Sequence, residues 1–502
     1  MPEGCDTPFA AGRSLVTLRT DIVKLSTRLL LQQSEPLAIE YSKAHKSGLT
    51  RREALGFGAK AAALFGVASS TFLGSAAKGA FAQTAAGTTG ETIITYLHAG
   101  GPWLEFDRLW AIDYLKLHPE IKDIVFDVFS YDEGFQKQTL ALSRGDDTID
   151  MLQIDEPWLP AHADAGYLAN VRNDYTAIAD PDYDWDDFHE SGLSAGQWKG
   201  EQFGIPSIAN TLGLIYRKDL YEEAGLAVPT PTSTWDDFEV SLKALHKPEK
   251  QQFGFASIHT RGDLNVTDWM TVAHSWKKFP DNQLYDETTW QPRMNEAFAV
   301  ESLDRYIHLM DNYTQPGPLG LSFNEFVQDY QQGRLGHMIF WASWWGLNED
   351  EKASKVVGKN GWSTPFAGND GYAASHRGYW LIGLNKKSKN PEATYKFAEY
   401  LSNKANYRRS AMKGIQYCRK SLYADNEIIT KFPYYAQQLQ NLDAVVKQHA
   451  YRPRLPQFVQ LNDILTANLA AASAKEISTK EATDRMASQS EKLLKRWGYF
   501  QG

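Results

Sequence analysis

The chain has 502 residues, 43% of them hydrophobic and 23% charged, a globular balance with length for two or three domains. A net charge of −9 and the lack of any basic block argue against a phosphate backbone, so nucleic acid is excluded as a partner. Two cysteines, Cys5 and Cys418, make no disulfide framework, and no Cys/His group has zinc spacing; neither a metal nor a cofactor is expected.

In chain order, the first informative stretch is 48–83. Thr50-Arg51-Arg52 precedes a weakly apolar, Gly/Ala-rich run over 55–73, then Lys78 and the small-x-small triplet Ala80-Phe81-Ala82. This resembles a twin-arginine export signal cleaved after Ala82, with no cysteine there to take a lipid. A free periplasmic protein is expected, with 1–82 as extension plus signal and no element read in 1–46.

Beyond residue 90, segment 91–97 (ETIITYL) alternates and is β-branched, which predicts a strand. A helix is predicted over 104–117, a strand over 124–129, a helix over 133–143 and a strand over 149–154. This alternation predicts an α/β fold with a parallel sheet covered by helices. Helices are predicted at 218–224, 235–245, 266–276, 296–312 and 324–332, and strands at 253–257, 335–341 and 380–384. The remainder reads as helical, over 392–401, 432–446, 458–472 and 479–494.

Catalytic motifs fail on context. Gly192-Leu193-Ser194-Ala195-Gly196 fits a nucleophile elbow in letters but lacks the strand before it. Gly56-Phe57-Gly58 lies in the export segment, and no phosphate-binding P-loop occurs, so ATP would be handled by other chains. Asp155-Glu156 is the one tempting carboxylate pair, but adjacent residues at a strand end point apart. No enzyme is expected; a glycoside hydrolase is the alternative, with a carbohydrate-sensing receptor as a third class.

Five blocks carry a family resemblance: 149–170 (IDMLQIDEPWLPAHADAGYLAN), 204–225 (GIPSIANTLGLIYRKDLYEEAG), 231–238 (PTSTWDDF), 333–345 (GRLGHMIFWASWW) and 378–397 (GYWLIGLNKKSKNPEATYKF). In this order and spacing the chain resembles the extracellular solute-binding proteins of ABC sugar importers, of the maltose-binding type. The resemblance implies a two-lobed periplasmic binding protein with discontinuous lobes joined by a hinge. It places one lobe at 91–211 plus 376–420 and the other at 212–375 plus 421–502. It also implies a small carbohydrate or polyol ligand, an ABC permease as partner, and a monomer.

A sugar offers a C–H face to an aromatic ring and hydroxyls to planar or charged groups. Trp344 stands where the family's stacking Trp does and ranks first; Trp341 and Trp345 read as packing. Asp155 and Glu156 follow the third strand as hydroxyl acceptors, although a helix N-terminus would also favour their charge. Trp158 is equally placed for stacking or core. Asn210 lies in the resemblance's hinge strand, His259 follows the 253–257 strand, and Tyr379 lies on the second crossing beside Arg377 and Trp380. Arg419, in QYCRKSL, matches the family's Pro-Thr-Arg-x-Ser segment, where a structural role is as open as a binding one. His98 and Trp103 are recommended only by following the first strand.

Overall fold

The computed structural model describes residues 24–26, 90–257, 259–321, 323–368 and 371–500; the export segment lies outside them. The chain divides into two compact units, 1–151 and 152–502.

In the first unit β1 (Lys24–Ser26), β2 (Thr92–Ala99) and β3 (Ile121–Phe129) pair in the order β1-β3-β2. β2 and β3 are parallel, with Ile94 opposite Ile124 and Tyr96 opposite Phe126, four side chains fully removed from water. Helix α1 (Leu104–Leu117) connects them and α2 (Tyr131–Ser143) follows, as the alternation predicts. β1 runs antiparallel to β3, an element the sequence did not suggest.

The second unit opens on β4 (Met151–Asp155), a wholly buried strand, and continues through α3 (Leu159–Asp164), α4 (Glu190–Ala195), β5 (Gly204–Pro206), β6 (Leu212–Arg217), α5 (Lys218–Ala224), α6 (Trp235–Leu245) and β7 (Phe253–Ala256). Helices α7 (Asp263–Trp276), α8 (Ala297–Tyr313) and α9 (Phe323–Gln331) precede β8 (Leu335–Trp341), β9 (Asn360–Ser363) and β10 (Trp380–Leu384). The end is helical: α10 (Pro391–Ser402), α11 (Lys404–Ala411), α12 (Tyr434–Gln448), α13 (Phe458–Ser473) and α14 (Thr479–Arg496). No helix among the described residues is long and apolar enough to cross a membrane.

Two sheets organise this unit. β4, β10 and β5 lie side by side, with β10 antiparallel to β5. The other runs β9-β6-β8-β7, with β8 parallel to β7 but antiparallel to β6. The parallel expectation, drawn from 91–154, holds for β2 and β3; this second sheet is mixed because the chain enters β6 and β9 from crossing segments and loops and not from helical returns. β8 (LGHMIFW) is buried on both faces, which accounts for its unbroken apolar run. Gly213 of β6 lies under the Trp362 ring of β9; a Cβ there would meet the ring at 2.2 Å, so only glycine admits this strand contact. Helix α6 starts where predicted because Thr234 caps it. Its hydroxyl accepts from the Asp237 amide at 3.2 Å, and the Asp237 carboxylate accepts from the Thr234 amide at 2.8 Å.

Ser194 lies inside α4, and Cys418 is a buried free thiol. No strand runs into Ser194, so the elbow reading fails as the sequence context indicated.

Candidate functional site

Three extended segments meet between the two sheets of the second unit. Thr211 bridges Arg377 in antiparallel fashion, and Arg377 bridges Tyr451 in parallel. The Arg377 amide donates to the Ala450 carbonyl at 2.8 Å, the Gly378 amide to Asn210 at 2.9 Å, and the Leu212 amide to His376 at 2.9 Å. Arg377 is therefore the middle residue of a three-strand crossing. Trp341, at the end of β8, lies against Gly378; a Cβ there would meet its ring at 2.5 Å.

Charged side chains converge on this crossing. Arg377 Nε donates to the two Glu156 oxygens at 2.9 and 2.8 Å, and its Nη2 also reaches Glu156. Its Nη1 donates to the Ser191 carbonyl and the Ser194 hydroxyl, and its plane lies 4.2 Å from the Tyr451 ring centroid. Arg454 Nη1 adds a longer contact to Glu156 at 3.3 Å. Arg452 grips Asp155 bidentately, Nη1 at 2.9 Å and Nη2 at 3.0 Å, and the same Nη1 donates to Asp263 at 2.8 Å. Asp263 in turn accepts from the Asn462 amide nitrogen of α13 at 2.8 Å. Asp155 is 2% and Glu156 1% exposed, and each buried carboxylate is matched by these cations. Three guanidiniums face three carboxylates, and the charges balance.

Burial works against the charge of Arg377, but Glu156 outweighs it and the guanidinium is held above its ordinary range. Arg454 is shifted down, by burial first and then despite Glu156 by the nearby Arg377. His376 sits beside these arginines, fully buried, its ring parallel to His274 at 5.8 Å and 6.3 Å from Trp341. Burial drives both imidazoles down, His274 to about 3 and His376 well below its ordinary range with Arg452 and Arg377 adding to the effect, so both are neutral at ordinary pH. Neither His376 nitrogen has a hydrogen-bond partner among the described residues.

Of the residues expected to bind, Asp155 and Glu156 stand at the centre of this cluster, already ion-paired and not open acceptors. Asn210 is on the first crossing segment, where its Oδ1 accepts from the Ser343 amide and hydroxyl at 3.1 and 2.8 Å. Tyr379 is adjacent but directs its hydroxyl to Ser191 at 2.8 Å. Trp344 is half-buried, edge-on to Phe340 at 6.2 Å, whereas Trp341 and Trp345 are buried as packing residues. Trp158 is core, edge-on to Trp380. His259 is buried against Tyr306, shifted down to about 3 by burial, with no hydrogen bond to its ring among the described residues.

Arg419 is a correction. Its guanidinium donates to the carbonyls of Ser402, Asp184 and Tyr183 and lies 4.1 Å over Phe188, so it clamps the loop before α4 and offers no ligand arm. His98 and Trp103 belong to the first unit. His98 has both nitrogens engaged, by Asp107 at 2.9 Å and the Ala99 carbonyl at 2.6 Å, and Trp103 is 2% exposed; both read as packing of that unit.

Arg452, Arg454, Asp263 and His376 escape sequence reasoning. The available signal was Tyr451-Arg452-Pro453-Arg454, two arginines around a proline in a short gap between predicted helices. Among the described residues no group of three His, Cys, Asp or Glu could hold a metal ion.

Residues 104–408 match the family described as bacterial extracellular solute-binding protein. The chain is 25% identical over 444 residues, 87% of its length and 98% of the relative's, to a Sinorhizobium fredii protein named "Probable amino-acid ABC transporter periplasmic-binding protein". Its fold matches an ABC transporter solute-binding protein of Agrobacterium radiobacter solved with ribitol (TM-score 0.73, 24% identity, 81% of this chain and 100% of that one). It also matches one of Agrobacterium vitis solved with D-mannitol (TM-score 0.72, 22% identity, 82% and 100%). These are two-lobed α/β binding proteins, and that is the fold of this chain.

Proposed function

The chain belongs to the bacterial extracellular solute-binding proteins, and from that premise we propose that it is the periplasmic receptor of an ABC importer for a sugar or polyol. The observation that carries this is the family match over residues 104–408 together with a fold shared over 81% and 82% of the chain with solute-binding proteins solved with ribitol and D-mannitol. Solved relatives that carry ribitol and mannitol support the polyol class.

On this reading the lobes are 91–211 plus 376–420 and 212–375 plus 421–502, with the crossing as hinge. Ligand affinity that differs between open and closed forms drives closure, and the closed form docks on a membrane permease. Trp344 stacks on the ligand. The twin-arginine segment takes the folded protein to the periplasm, where it acts as a monomer and releases no product.

The test is thermal melting of residues 83–502 against D-mannitol, ribitol, maltose and their oxidised derivatives. A ligand at a hundred-fold excess over its dissociation constant stabilises by about 2.7 kcal/mol. A shift with one compound, recovered intact, supports the receptor. Cleaved ligand would point to the hydrolase. No shift with any hydroxylated compound would remove the sugar and polyol reading.

A further inference from the structure

We propose that Arg452 is the positioning residue that couples the two sheets of the second unit, acting as an ion-pair latch on the crossing. The inference rests on the binding-protein reading for its consequence but on geometry for its substance. Asp155 ends β4, in the sheet β4-β10-β5. Asp263 is the first residue of α7, which leaves β7 of the sheet β9-β6-β8-β7. Arg452 stands on the third crossing segment, next to Tyr451, which bridges Arg377. Its single Nη1 donates to both carboxylates, at 2.9 Å to Asp155 and 2.8 Å to Asp263. Both arms are shielded, with Arg452 3% and Asp263 10% exposed at their side chains.

One nitrogen held between two elements of different sheets constrains rotation of those sheets about the crossing. Arg452 and Asp263 fall in the same proposed lobe and Asp155 in the other, so separation of the lobes breaks the two Arg452–Asp155 bonds and leaves the one to Asp263. Asp155 is therefore the arm that gives way, and Asp263 holds the guanidinium turned toward it. The crossing also carries backbone bonds, the Asn210–Ser343 contact and the ion pairs of Glu156 with Arg377 and Arg454. Asp155 is thus the detachable arm, and removing Asp263 or shortening Arg452 loosens the grip on it and shifts the equilibrium toward the separated form without opening the fold. A lost bond to a charged group corresponds to a roughly ten- to hundred-fold change in that equilibrium. Apparent affinity falls by the same factor, since ligand binds the joined form.

The experiment uses the full chain with Cys5→Ser, and spin labels at Val228→Cys and Lys387→Cys. Both positions are exposed, and one lies near each sheet. Pulsed EPR without ligand reads their separation in the parent, in Asp263→Asn and in Arg452→Lys; D-mannitol and ribitol affinities are measured on the same proteins. The latch predicts a new, longer distance population in both variants, with unfolding midpoints close to the parent for Asp263→Asn. An unchanged distance distribution in a folded Asp263→Asn overturns the latch. If Asp263→Asn fails to fold, Arg452→Lys decides on the same criterion. If distances shift but neither polyol binds any of the proteins, the latch stands and the ligand reading falls. If polyols bind the parent and Asp263→Asn equally while distances are unchanged, the residue is merely structural and the proposal is wrong.

Discussion

Replacing Arg377 with Met keeps most of the side-chain volume and removes the charge. The structure defines what is lost. Glu156, 1% exposed, loses three guanidinium contacts and keeps only Arg454 at 3.3 Å. Ser191 still receives the Ser194 hydroxyl at 3.0 Å, so its carbonyl is not orphaned. The dominant cost is therefore an under-compensated buried carboxylate, about 3–5 kcal/mol for breaking a buried pair from one side. Urea unfolding followed by tryptophan fluorescence measures it, in a cycle of Arg377→Met, Glu156→Gln and the double variant. Removing both charges avoids the isolated carboxylate, so the double variant should lose no more than about 2 kcal/mol and the coupling should exceed about 2 kcal/mol. An Arg377→Met cost below about 1 kcal/mol, or strictly additive losses, would show that Glu156 finds other compensation and that the crossing is not held by this pair.

Acid should destabilise the protein through its buried histidines. Burial holds His259 and His274 at about 3 and His162 and His337 at about 4 in the folded state, against about 6.5 unfolded. The unfolded chain then binds protons the folded one refuses. Stability is full above pH ~6.5 and falls as pH drops toward these values, by up to about 1.4 kcal/mol per pH unit for each histidine. Urea midpoints at pH 7, 6 and 5 check this, and a flat profile would contradict the burial. Cys418, raised to about 12 by burial, should resist thiol reagents in the native Cys5→Ser protein at pH 8 and react fully in urea. The native rate should be slower by ~10³ on thiolate fraction alone. Trp344→Ala should weaken polyol binding by about ten-fold or more, with calorimetry as the readout, because a stacking ring is lost; unchanged affinity would move the site away from β8.

Local periodicity made most of the fold legible. α1, α5, α6, β8 and β10 match their predicted limits, since each has an apolar pattern of one period and a stop or cap beside it. β5 (GIP) and β9 (NGWS) were not readable: their glycines serve close strand contacts and leave no alternating signal. Helix α7 was predicted to begin at 266, whereas it begins at Asp263, because its first turn is polar on the side that faces the cluster. That three-residue error concealed a member of the site.

The rest of the site could not be read locally because its partners are far apart in the chain. Asp155 meets Arg452 across 297 residues and Glu156 meets Arg377 across 221. Yet the constraint was present in the sequence. Asp155 ends, and Glu156 directly follows, a strand apolar enough to be buried, and buried carboxylates require cations or protons. Two such acids close to an unpaired interior point to arginines, whose fork saturates a carboxylate. The arginines free to serve are those outside amphipathic helices, in extended pieces between elements, and Arg377, Arg452 and Arg454 lie in such pieces. Arg419 satisfies the same condition and takes the structural role that the resemblance left open, because the carbonyls of Tyr183, Asp184 and Ser402 claim its donors. Charge demand at a buried strand end thus identifies the kind of residue required, and the crossing geometry decides which of them answers.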